Sequence, residues 1–151
     1  MKTYTHWDVL MASPTEPLPM EKRMFQLTRM FEGLSAIERD PEPTYDDWKV
    51  VSDALNMMET LLVMGQVEDP DNLIGDAAMA LAKAGNRSLQ GHPIRLDGSA
   101  IQLIRAILQD YCDVLENLPA RTMIQAHRQT ERRVTKIVQG KRKSHDIVVG
   151  K

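Results

Sequence analysis

The side chains with the most chemical potential in this sequence lie near its end. Arg121, Arg128, Arg132, Arg133 and Lys136 share one stretch, and Lys141, Arg142 and Lys143 follow it. On a helix, positions 121, 128 and 132 fall near one face, as do 129, 133 and 136. A helix so loaded can neutralise phosphates, each contact releasing counterions and making affinity steeply salt-dependent. No cluster of side chains suited to reading base edges opens a helix here, and no helix-turn-helix spacing with a glycine turn stands out. The plainer alternative is that the basic helix lies against an acidic body or faces solvent.

His127 and Glu131 stand four residues apart in the same stretch, a spacing used by metal sites and by acid–base pairs. Two ligands are too few for a metal, and the surrounding arginines repel divalent cations. The expectation is therefore no metal, no cofactor and no catalytic residue, with Glu131 paired to Arg128, Arg132 or Thr135. Arg87, His92 and Arg95 sit in a loop with Gly91 and Pro93 that could grip an anion or serve only as a connector. Asp46, Asp47 and Asp53 form a second, acidic surface, which can imitate phosphate for a nucleic-acid-binding partner but more often caps a helix and faces water. There is no Walker A loop, no dinucleotide fingerprint and no nucleophile elbow.

Charge is segregated along the chain. Residues 1–120 carry 10 Lys/Arg against 19 Asp/Glu, whereas residues 121–151 carry 9 Lys/Arg against Glu131 and Asp146 alone. The net −2 thus hides an acidic body joined to a basic end. Hydrophobic content of 42% with 26% charged residues is that of one globular domain rather than a disordered chain. Ten methionines against an aromatic share of 5% favour helices over strands. Cys112 is the single cysteine, so an internal disulfide is impossible. With neither a signal-peptide core nor an apolar run of about 20 residues, the expected location is the cytoplasm and no membrane is implied.

These side chains need helices to position them, and the apolar spacing supplies five. Pro19 precedes a stripe of Met20, Met24, Leu27, Phe31 and Leu34, widened by Met30 and Ile37 and stopped by Pro41 and Pro43. Thr44 and Asp47 resemble a shortened capping box before a helix with two stripes, which marks it as central; Gly65 ends it. Asp69-Pro70-Asp71-Asn72 supplies a cap and a helix-starting proline for the third, whose small-residue face stops at Gly85. Asp97 or Ser99 caps the fourth, built on Ile101, Ile104, Leu108, Tyr111, Leu115 and Leu118. Pro119 kinks or separates a fifth that carries Met123, Ile124, His127, Val134 and Ile137 and ends near Gly140. The expected fold is all-α: a compact bundle of four to five helices with an extended N-terminal arm and a basic C-terminal helix and tail. Its parts are an arm over 1–18, with a short strand at Tyr4–Leu10, a helical bundle domain over 19–140, and a basic flexible tail over 141–151, where Ile147–Val149 could add a strand. No internal repeat or linker interrupts it. If the fifth helix projects, its apolar stripe needs a cover, and a second copy of the chain is the simplest; otherwise it folds back.

Arg121-Thr122-Met123-Ile124, His127-Arg128-Gln129-Thr130-Glu131-Arg132-Arg133 and Lys143-Ser144-His145-Asp146, with Pro17-Leu18-Pro19 and Asp46-Asp47-Trp48-Lys49-Val50-Val51-Ser52-Asp53-Ala54, resemble small accessory proteins encoded in phages and prophages of Gram-negative bacteria. These stretches are not motifs of known chemistry. The resemblance implies a setting, that of an inhibitor acting by stoichiometric binding on host or phage machinery, as anti-CRISPR proteins do. The expectation is thus a non-enzymatic helical binding protein whose partner is a protein, such as a host CRISPR or other nucleoprotein complex. The alternative is a DNA- or RNA-binding accessory protein that uses the basic helix on phosphates.

Overall fold

A computed structural model describes residues 3–147, with side chains described as far as Ile137. Among the described residues the chain is all-α, with six helices and no strand: α1 (His6–Met11), α2 (Met20–Arg39), α3 (Tyr45–Val63), α4 (Leu73–Leu89), α5 (Gly98–Asn117) and α6 (Ala120–Ile147). None is long and apolar enough to cross a membrane.

The additional helix is α1, which replaces the strand expected at Tyr4–Leu10. A capping box nucleates it: Thr5 Oγ1 accepts from the Asp8 N–H at 3.3 Å, and Asp8 Oδ2 accepts from the Thr5 N–H at 2.7 Å. The same reciprocal pair, Thr44 and Asp47, opens α3 as expected. The segment from α1 to Leu18 is anchored to the bundle. Val9 and Leu18 are buried, and Ser13 and Glu16 accept from the N–H groups of Arg121 and Ala120, the first residues of α6. Those two carbonyls satisfy helix-terminal N–H groups that would otherwise need water.

The helix α3 is the centre, packing on α2, α4, α5 and α6. Its two stripes explain this, since Val51, Leu55 and Met58 are buried on one side and Ala54, Met57 and Leu61 on the other. Against it, α2 approaches most closely at Gly33, where a Cβ would come within 2.6 Å of the Asp47 carbonyl oxygen. The buried part of α2 is its second half, Met30, Leu34 and Ile37. Met20 and Met24, expected on the core face, are exposed, because the inward side of this half of α2 runs through Arg23, Gln26 and Leu27.

Both boundaries of α4 differ from expectation. Pro70 does not start α4, which begins at Leu73. Asp69 accepts from the Leu73 and Ile74 N–H groups at 2.8 and 2.9 Å, so Asp69-Pro70-Asp71-Asn72 is the turn ahead of the helix. Nor does Gly85 stop α4, which continues to Leu89. The Trp48 indole lies across Gly85, where a Cβ would come within 2.9 Å of the ring, and donates its N–H to the Leu81 carbonyl at 2.9 Å. Glycine is used there for close approach, not for termination.

Pro119 separates α5 from α6, and α6 folds back. Met123, Ile124, Ala126 and Thr130 are buried, whereas Val134 is half-buried and Ile137 exposed. The helix runs through Gly140 to Ile147, past the end expected for it. The strand expected at Ile147–Val149 falls on the last residue of α6 and on residues outside those described.

Candidate binding groove

The loop expected to grip an anion is engaged with the protein's own backbone. Arg95 donates to the carbonyls of Ile37 (3.2 Å), Asp40 (2.6 Å) and Pro41 (2.7 Å), and so satisfies the acceptors left at the C-terminus of α2. Arg87 donates to the Arg95 carbonyl at 3.0 Å, while His92 is exposed.

The basic residues of α6 divide in two. Arg121 donates to the Val9 and Leu10 carbonyls, both at 3.1 Å, and ties α1 to α6. Arg133 donates to the Asn56 carbonyl at 2.8 Å and Thr60 Oγ1 at 3.2 Å, with Glu59 at 3.8 Å, while its Nε is buried without a hydrogen-bond partner. Arg128, Arg132 and Lys136 form an i, i+4, i+8 row, half-buried at Arg128 and exposed at the other two. Among the described residues none of these three meets a carboxylate. Lys141, Arg142 and Lys143 lie within α6, but their side chains are outside the described part.

The acidic surface is also partly engaged. Asp47 accepts from the Thr44 N–H at 2.8 Å as a cap, Asp53 pairs with Lys49 at 2.9 Å, and Asp46 is exposed in the first turn of α3. Its hydrogen bond to Asp53 holds the Lys49 ammonium pKa above its ordinary value, the opposing effect of burial being smaller.

His127 and Glu131 do come together, but in a tether. The Thr3 N–H donates to both Glu131 oxygens, at 3.0 and 3.3 Å. His127 Nδ1 lies 2.9 Å from Glu131 Oε1 but is not aligned as a hydrogen bond, so that Nδ1 is buried without a hydrogen-bond partner. Partial burial pushes the Glu131 carboxyl up. The Thr3 N–H and the His127 imidazole outweigh it and hold the pKa below the ordinary glutamate value. The Tyr4 ring stands edge-on to His127 at 5.1 Å between centroids.

Beside this tether opens a cleft of about 800 Å³ between α2 and α6, floored by α3. Its apolar lining comes from Met30 of α2 and from Val50, Ala54 and Met57 of α3, beside the Lys49–Asp53 pair and Asn56, and Tyr111 of α5 lines it too, its phenol driven well above the ordinary value by burial. The Tyr111 hydroxyl reaches Gln26 Oε1 only at 3.5 Å. Exposed residues of α2 form one wall. Phe25 stands out from it, with the Arg29 guanidinium 5.9 Å from its ring centroid, and Lys22 lies 5.9 Å from the Tyr4 ring. None of these groove residues of α2 is among the expected site residues. The available signal is an aromatic residue off the core stripe, flanked by cations three residues before and four after it.

No protein-family model, curated protein or solved structure matches this chain.

Proposed function

We propose that the protein acts by stoichiometric binding of a protein partner, and that the groove between α2 and α6 receives it. The observation that carries this reading is the groove itself: an open cleft of about 800 Å³ with an apolar floor and a protruding Phe25 at its wall. Grooves of this kind take the apolar face of an amphipathic helix. The neighbouring His127–Glu131 pair supports binding over catalysis, because Thr3 occupies the carboxylate and the Tyr4 ring packs against the imidazole. The phage setting implied by the resemblance makes a host nucleoprotein complex, CRISPR effectors included, the first partner to test, with the protein as its inhibitor. A second reading, nucleic-acid binding, is favoured by the Arg128, Arg132 and Lys136 row, which meets no carboxylate among the described residues.

A photoreactive residue placed at Phe25, in Gram-negative host lysate, should yield one stoichiometric protein adduct that the same residue at the exposed Leu89 does not. Adducts that are equal at both positions would sink the groove reading. A gel shift on duplex DNA or RNA that falls steeply with salt and disappears in an Arg128/Arg132/Lys136→Ala variant would put the nucleic-acid reading first.

A further inference from the structure

The groove is not neutral along its length. On α2, Lys22, Phe25 and Arg29 follow at i, i+3 and i+7, so an exposed aromatic side chain is framed by two exposed cations about 10 Å apart along the helix axis. Both cations lie near aromatic rings of the groove itself, Tyr4 and Phe25, and neither is paired with a carboxylate among the described residues. The opposing charges differ. Asp53 is neutralised by Lys49 at 2.9 Å, and Glu131 is bound by the Thr3 N–H and faced by His127. Glu21 is the remaining carboxylate at the rim, exposed in the first turn of α2, where the helix dipole already favours a negative charge. The wall therefore presents positive charge beside an apolar floor.

Resting on the groove reading above, we propose that the occupant is an acidic amphipathic helix. Its apolar face covers Phe25, Met30, Ala54 and Met57, and carboxylates two turns apart meet Lys22 and Arg29. A partner helix lying alongside α2 has the same rise per turn, so acidic residues at its own i and i+7 positions match the spacing of the two cations. Tyr4 lines the groove beside Lys22 and His127 and adds to its apolar surface. Charge complementarity of this kind selects among partners with similar apolar faces and speeds their encounter.

The test uses three labelled helical peptides with one common Leu/Met face and flanks of Glu, Gln or Lys, titrated against the full chain by fluorescence anisotropy at physiological salt. The acidic peptide should bind about tenfold tighter than the neutral one, and the basic peptide weakest. A Lys22→Glu/Arg29→Glu variant, altered only at exposed positions, should invert that order while its circular dichroism stays unchanged. If the neutral peptide binds and Phe25→Ala weakens it, but flank charge changes nothing, the groove reading stands and the acidic occupant is overturned. If no peptide binds, or Phe25→Ala leaves binding intact, both are overturned.

Discussion

The hydroxyl oxygens of Thr60 and Thr130 lie 2.6 Å apart where α3 meets α6, and both residues are buried. Thr60 donates onward to the Asn56 carbonyl at 3.1 Å, and Thr130 also lies 2.7 Å from the Ala126 carbonyl. With Arg133 reaching Asn56 from α6, the pair fixes α6 in the opposite direction to α3 and so sets one wall of the groove. Replacing Thr130 by Val should cost about 1 kcal/mol, the net worth of one buried hydrogen bond, since Thr60 keeps the Asn56 carbonyl and the Arg133 guanidinium as partners. The double Thr60→Val/Thr130→Val variant should cost less than the sum of the singles, because the two share one interaction. Denaturant midpoints for the three variants decide the point, and strict additivity would refute the coupling.

Gly33 sets the approach of α2 to α3. Alanine is the better helix former by about 1 kcal/mol, yet a Cβ at Gly33 would lie 2.6 Å from the Asp47 carbonyl oxygen, a backbone atom that cannot swing away. Gly33→Ala should therefore destabilise by about 1–3 kcal/mol, as overpacking does. Gly98, where an added Cβ would meet nothing within 4 Å, is the control: Gly98→Ala should change stability by no more than about 0.5 kcal/mol.

Arg95 holds the end of α2 rather than an anion. Arg95→Ala should lower stability by about 2 kcal/mol, because charge-assisted bonds to three α2-end carbonyls are lost at once. Lysine should not restore it, since one ammonium cannot span carbonyls that a planar guanidinium reaches together. Thermal melts with and without sulfate check both statements; marked stabilisation of the wild type by sulfate at physiological ionic strength would revive the anion site.

The Glu131 tether carries a pH dependence with a defined sign. Its carboxyl is held below the ordinary glutamate value in the folded protein, so the stabilisation is present above the unfolded value and is lost as pH falls through the lower folded one. Protection of the Thr3 amide in hydrogen exchange should therefore persist at neutral pH and fail in acid, below the ordinary glutamate range. In Glu131→Gln the acid-dependent loss should vanish. If the wild-type Thr3 amide shows the same protection factor, its rate taken relative to the unstructured rate at each pH, at neutral and acid pH, the tether is not formed.

Helix identity was legible wherever a local signal sufficed. Thr44 with Asp47, the stripes of α3 and Pro119 are each read within a few residues, because capping and amphipathic periodicity are local physics. The same capping logic at Thr5 and Asp8 is equally present in the sequence, but too few apolar residues follow it to show a helical period, so the segment reads as an extended arm with a short strand.

Whether a side chain meets solvent or a distant carbonyl was not legible. Arg121 and Arg132 are chemically alike in sequence, yet one binds the backbone of α1 from 111 and 112 residues away while the other is exposed. Gly85 reads as a helix stop until Trp48, far along the chain, lies across it. The sequence by itself determined the all-α class, the central helix and the separation of α5 from α6, since each follows from local propensity and periodicity. Only the tertiary structure decided which cations remain unpaired and where the groove opens, because both depend on which helix faces lie against one another.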